Sequence, residues 1–181
     1  MIYKIILIGD IGVGKTSIIL KLVNNKFYPE YNKTLDVDFY IYDIKSSINN
    51  TNITKLQIWD TAGELKYNSI NESFFNNADA VIIVYDVNNY TSFNNVNTWH
   101  NIIKNNIKKN IINTIPIMLL GNITNSNIDN RKVLEKDAYE FALNNSMLFM
   151  ECSASNQNRH KISDAFINLT RKIYVTKKHT N

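Results

Sequence analysis

The chain has 181 residues, 44% of them hydrophobic, which is enough for one substantial core and too few for two domains of ordinary size. Its formal charge of +4 comes from Lys and Arg scattered among Asp and Glu, which argues against a nucleic-acid-binding surface. The single cysteine, Cys152, can form no internal disulfide and reads as a buried thiol in a reducing compartment, and no apolar run approaches the ~20 residues of a membrane span.

Residues 3–8, which include the apolar run Ile5 to Ile8, read as a buried strand. Gly9-Asp10-Ile11-Gly12-Val13-Gly14-Lys15-Thr16 follows with the spacing G-x-x-x-x-G-K-[ST]. Glycines in that pattern let successive backbone N–H groups curl round phosphate oxygens, and the next helix turns its positive end to the same charge. Lys15 is placed to reach β- and γ-phosphates, and the Thr16 hydroxyl to take one position on Mg²⁺, a hard cation that prefers oxygen. Ile18, Ile19, Leu22 and Val23 share one face of a helix over residues 15–23.

Residues 26–36 read as an exposed connection, and the alternation over 37–44 and 53–59 as a hairpin whose tip, 46–52, is rich in turn formers. Asp60-Thr61-Ala62-Gly63 comes at once after the second strand, and 64–77 is polar and irregular. Residues 80–87 form another buried strand. From Thr91 the pattern turns helical, with Phe93, Val96, Trp99, Ile102 and Ile103 on one stripe and Thr91 or Ser92 as the cap. A strand over 115–120 is interrupted early by Pro116, which such a strand tolerates only near its start. A helix over 132–143, a strand over 147–150 and a last helix over 162–174 complete the chain. Doublets such as Asn24-Asn25 and Asn144-Asn145 reflect a compositional bias, because hydrophobic periodicity runs through them.

Strands alternating with helices predict an α/β fold: a doubly wound, six-stranded, mostly parallel sheet with helices on both faces and the site beyond the strands' carboxyl ends. The expected domain is 1–175, with 176–181 a short basic tail. Met1 leads straight into a strand, so no signal peptide is expected, and Ile2 is not the glycine that myristoylation needs. The end, Lys177-Lys178-His179-Thr180-Asn181, offers no cysteine for prenylation as it stands.

Asp60 and Gly63 form a D-x-x-G pair, in which a carboxylate holds a magnesium-bound water and a glycine N–H meets a γ-phosphate. Taken with the phosphate loop, Trp59-Asp60-Thr61-Ala62-Gly63 closely resembles the Ras superfamily of small GTPases, and within it the Rab family. The resemblance spans nearly the whole chain, through Thr34-Leu35-Asp36-Val37-Asp38-Phe39, Val84-Tyr85-Asp86-Val87 and Ser92-Phe93-Asn94-Asn95-Val96-Asn97-Thr98-Trp99. It implies the small G-protein form of the P-loop NTPase fold and a GTP/GDP switch dependent on Mg²⁺. By that likeness the loop from Gly9 to Thr16, together with Ser17, holds the phosphates, and Thr16, Thr34 and Asp60 hold the metal. Lys15, Gly63 and Glu64 serve hydrolysis. Phe27 stacks on the purine, and Asn122, Asn125, Ser153, Ala154 and Ser155 surround the base. Two segments, about 30–39 and 60–75, are tethered by the γ-phosphate and released on hydrolysis. Phe39, Trp59 and Phe74 match the triad through which Rab proteins meet effectors, their alternative reading being plain core aromatics. Effectors, exchange factors and GTPase-activating proteins are the implied partners. The implied place is the cytoplasm, peripheral on endomembranes, with membrane contact indirect or through a missing tail.

Four departures shape the expectation. Glu64 stands where the family has a glutamine; it can accept a water's hydrogen bond but repels the phosphoryl group, so hydrolysis is expected to be slow. Ile11 puts branched bulk where an arginine finger would enter. The base-reading motif N-K-x-D is here Asn122-Ile123-Thr124-Asn125, and Asn125 offers guanine one acceptor instead of two, so binding should weaken and xanthine becomes the competing ligand. Ser155 replaces the lysine that lies over the ring. The alternative function is a hydrolysis-deficient decoy or scaffold with the same fold. Lys172, Lys177 and Lys178 read as a solvated helix end, adding at most weak attraction to anionic lipid.

Overall fold

The computed structural model describes residues 1–28, 34, 37–45, 53–62, 72–107, 115–124, 130–155 and 160–180. Among them six strands form one sheet in the order β2-β3-β1-β4-β5-β6, and only the β2–β3 pair is antiparallel. The strands are β1 (Ile2–Ile8), β2 (Val37–Lys45), β3 (Ile53–Thr61), β4 (Ala80–Asp86), β5 (Ile117–Asn122) and β6 (Leu148–Cys152). The helices are α1 (Lys15–Asn24), α2 (Glu72–Phe75), α3 (Tyr90–Asn94), α4 (Val96–Asn106), α5 (Glu135–Asn144) and α6 (His160–Thr180). The doubly wound, mostly parallel sheet expected from the sequence is the sheet observed.

β1 lies at the centre and is apolar and buried from Ile5 to Ile8 because both faces are covered there. Ile5 and Leu7 belong to a core shared with Ile18 and Leu22 of α1 and Phe166 of α6, while Ile6 and Ile8 belong to a second core with Trp99 of α4 and Ala138 of α5. Alternate side chains of a strand leave opposite faces, so one run of four apolar residues feeds both layers. Register then aligns the site. Leu7 stands beside Asp60, Asp86 beside Asn122, and Asn122 beside Cys152, bringing these residues of five strands to one edge of the sheet.

Several element boundaries differ from expectation, each for a local reason. Asn89, not Thr91 or Ser92, caps α3: its Oδ1 accepts from Thr91 N at 3.0 Å and Ser92 N at 3.3 Å. Ser92 instead points inward, its hydroxyl donating to Asn89 O and accepting from Asp86 N. β5 begins after Pro116, which has no N–H to give a ladder but whose carbonyl accepts from Val81 N at 3.1 Å. α5 starts at Glu135 because Lys132 N and Val133 N both donate to Val87 O, holding that stretch out of the helix. α2, four residues long, lies inside a stretch with too little periodicity to reveal it. α6 runs to Thr180, six residues past the expected end. Its sequence contains no Gly or Pro to stop it, Thr176 Oγ1 donates back to Lys172 O, and Lys177 is anchored by an ion pair with Asp79 and a place 5.3 Å over the Tyr3 ring. The Lys177 ammonium is therefore tied to Asp79 while its side chain stays exposed, at 54%.

Candidate functional site

The glycine-rich loop closes the gap between β1 and α1 in a backbone form that side chains resist. Gly14 has φ +92° and Gly9 φ +142°; a Cβ at Gly14 would strike the Asn122 amide, and one at Gly9 the Val84 carbonyl oxygen. Ile11 and Gly12 lie exposed at the loop's crest, while Val13 is buried beneath it. Ile11 is 46% exposed, so its branched side chain does stand on the outer surface of the loop. Ser17 follows on α1, half-buried.

Lys15 is folded under the loop and buried. Its ammonium donates to Gly9 O at 2.8 Å and Asp10 O at 2.9 Å, which uses two of three donors and leaves one for a phosphate oxygen. Burial pulls its pKa down to about 8, and the carboxylates of Asp60 and Asp10 pull the other way.

Beside it, three oxygens from three parts of the chain converge. Thr16 Oγ1 donates to Asp60 Oδ2 at 2.6 Å and lies 2.9 Å from Thr34 Oγ1. Asp60 is fully buried at the end of β3, and its other oxygen, Oδ1, has no hydrogen-bond partner among the described residues. Burial raises its pKa, against the lowering effects of the Thr16 hydrogen bond and the Lys15 charge. An orphaned carboxylate oxygen beside two hydroxyls fits Mg²⁺, which takes oxygen ligands and is usually held by one or two carboxylates together with substrate phosphates. Among the described residues no group of three or more His, Cys, Asp or Glu could hold a metal, so hydroxyls have to complete any such set.

On the other side of the loop Asn122 is buried at the end of β5. Its Nδ2 donates to Val13 O at 2.8 Å, and its Oδ1 accepts a long bond, 3.4 Å, from Ala154 N. One side chain thus bridges the phosphate loop to the segment after β6, a brace that stands without the lysine that Ile123 replaces. Ser153 Oγ donates to Ile123 O at 2.8 Å and lies 3.0 Å from Ser155 Oγ. Phe27, past the end of α1, is 40% exposed and available to a planar ligand. Gly63, Glu64 and Asn125 lie outside the described residues.

Sequence reading missed two sets of supporting contacts. Thr124 Oγ1 donates to Asp86 Oδ1 at 2.8 Å, and Arg131 grips Glu151 through two bonds of 2.9 and 2.7 Å while Tyr85 OH donates to the same carboxylate. These partners are far apart in the chain, and no local spacing marks them. The aromatic triad is real as a contact: Trp59 packs edge-on against Phe39 at 5.8 Å and Phe74 at 6.0 Å, with the Lys4 ammonium 4.4 Å over the Trp59 ring. Phe39 is 49% exposed, so this is not a closed core cluster.

The topology with a glycine-rich loop at its central strand is the P-loop NTPase fold. The model of the Ras family matches residues 4–175, and the chain belongs to the Ras family of small GTPases. It is 36% identical over 170 residues to the Ras-related protein RABG3b of Arabidopsis thaliana, covering 93% of this chain and 81% of that protein. It is 33% identical over 172 residues to the Ypt/Rab-type GTPase YPT7 of Saccharomyces cerevisiae (94% and 80% covered) and 36% identical over 173 residues to the Ras-related protein Rab-18-B of Danio rerio (96% and 80%). Among the described residues no helix is long and apolar enough to cross a membrane.

Proposed function

We propose that the chain is a Rab-like molecular switch that binds GTP and GDP with Mg²⁺, hydrolyses GTP slowly, and regulates membrane trafficking by presenting residues 34–39 and 64–75 to effectors. The observation that carries this reading is that the Thr16 hydroxyl lies 2.9 Å from the Thr34 hydroxyl and 2.6 Å from the Asp60 carboxylate. Thr34 belongs to the segment taken as the first switch, and a hydroxyl shared with the phosphate loop gives that segment a way to sense what the loop holds.

The residues take their parts as follows. Loop amides and the Lys15 ammonium bind the phosphates, Thr16, Thr34 and Asp60 hold the cation, and Phe27 covers the base, with Asn122, Asn125 and Ser153 to Ser155 around its edge. Bound Mg²⁺ supplies positive charge at the phosphate oxygens. Glu64 accepts a hydrogen bond from the attacking water, but its charge opposes the charge that builds on the phosphoryl group, which makes turnover slow. Gly63 offers its N–H to the γ-phosphate. The Phe39–Trp59–Phe74 face, half-exposed and aromatic, suits partner proteins: effectors, and regulators that exchange nucleotide or promote hydrolysis. The place of action is the cytoplasm and the surfaces of endomembranes.

Titration with GDP, XDP and ADP in Mg²⁺ buffer, followed by a single-turnover measurement with GTP, tests the whole reading. GDP binding tightest and γ-phosphate released faster than in buffer are expected. XDP binding tighter than GDP would move the base preference to xanthine, and γ-phosphate lost no faster than in buffer would leave a nucleotide-binding scaffold. Binding of none of the three sinks the proposal.

A further inference from the structure

Asp10 is a carboxylate on the very loop that is read as a polyphosphate cradle, where an unrestrained anion would repel its ligand. Its side chain is gripped from α4. Asn95 Nδ2 donates to Asp10 Oδ2 at 2.7 Å, and Trp99 Nε1 donates to Asp10 Oδ1 at 2.8 Å, so each carboxylate oxygen has its own donor. The two donors lie one helical turn apart, on one face, with Trp99 N donating to Asn95 O at 3.0 Å. Trp99 is 1% exposed and cannot shift without disturbing the core.

Asn95 occupies the N-cap position of α4, a place where asparagine ordinarily accepts from the first turn. Here its side chain makes no capping bond to the helix; its amide donates to Asp10. The other side of Asp10 faces the site: its backbone carbonyl accepts from the Lys15 ammonium at 2.9 Å. A continuous line of hydrogen bonds therefore runs from the first turn of α4, through both ends of one residue, to the lysine under the phosphate loop.

We propose that Asn95 and Trp99 are positioning residues for the phosphate loop, holding the Asp10 carboxylate away from the ligand and keeping the Asp10 carbonyl on Lys15. The proposal rests on the reading of this loop as the nucleotide site. Neither residue touches nucleotide; they act through Asp10. A grip on a charged group of this kind is worth enough that its loss should be read as about a tenfold change or more.

The test is the rate of mant-GDP release from the full chain in Mg²⁺ buffer, with thermal melting as a check on folding. N95D should speed release about tenfold, since it sets two carboxylates together; D10N should change release less, because the Asn95 amide can turn its Oδ1 to the new N–H₂. The double variant D10N/N95D exchanges donor and acceptor and should return release to within about threefold of wild type, a rescue that a purely structural role does not predict. N95A, at a partly exposed joint where no capping bond is lost, removes one donor with the fold intact and should also speed release. Release within twofold of wild type in folded N95D and N95A, or a double variant no slower than N95D, overturns the clamp while leaving the nucleotide site in place. Wild-type protein that retains no mant-GDP overturns both.

Discussion

The Thr16 hydroxyl has two partners 18 and 44 residues away, and their meeting makes the candidate cation site. T16A removes the shared oxygen while leaving Lys15 and the loop backbone in place. GDP release from T16A should lose its dependence on Mg²⁺, so that EDTA, which speeds release from wild type, changes the variant's rate by less than about twofold. A full EDTA response in T16A would remove Thr16 from the cation set. Glu64 is tested in the opposite direction. E64Q restores a side chain that can both accept from water and donate to the phosphoryl group, and single-turnover hydrolysis should rise by about tenfold or more. An unchanged or lower rate would mean that the carboxylate is acting as an effective base.

Among the elements, helix ends decide the geometry around the site. Asn89 caps α3 just after the end of β4, where Asp86 accepts from Asn88 N and Thr124. N89A leaves Thr91 N and Ser92 N without their acceptor and should lower stability by about 1 kcal/mol in chemical denaturation, with T91A costing less because Thr91 is not the cap. Equal losses would return the cap to Thr91. The long α6 shows the same logic at its other end. Its buried stripe of Ile162, Ala165, Phe166, Leu169 and Ile173 stops at Ile173, yet the helix continues because Lys177 finds Asp79 on the neighbouring layer. Asp79 in turn accepts from Lys4 N at 2.7 Å, and Lys4 holds Phe74 O and Asn76 O beside Trp59.

Across the molecule, the interior also sets how stability responds to acid. His100 on α4 is buried, its Nδ1 has no partner among the described residues, and burial first, then the Lys104 charge, push its pKa from 6.5 down to about 4. The folded state therefore favours neutral imidazole, while the unfolded chain takes up a proton near the ordinary value. Stability should fall as pH drops from about 6.5 to about 4 and lose no more from this group below that. The loss is of order 2 kcal/mol at pH 5 by linkage. Denaturation of wild type and H100Q at pH 7 and pH 5 checks it: the variant should lose less between the two. An equal loss would mean that His100 is charged in the folded state. The Cys152 thiol, buried at the end of β6 and raised to about 12 by that burial, stays protonated and unreactive throughout this range.

What the sequence determined by itself was whatever depends on neighbours along the chain. The run Ile5 to Ile8 marks a doubly covered strand, alternation marks β2 and β3, and the glycines at 9, 12 and 14 mark a loop whose backbone few other residues could adopt. The glycine-rich loop and Asp60 at the end of β3 were legible for that reason, since fixed spacing marks them. The tertiary structure alone decided what joins distant segments. It brought Thr34 to Thr16, turned Asn122 into a brace on Val13, and set Asn95 and Trp99 on Asp10, 85 and 89 residues away. Trp99 fits a helical stripe just as well whether or not its indole N–H has a carboxylate to meet. Hydrogen bonds between layers depend on sheet order and register, which decide which distant segments meet and which no local pattern encodes.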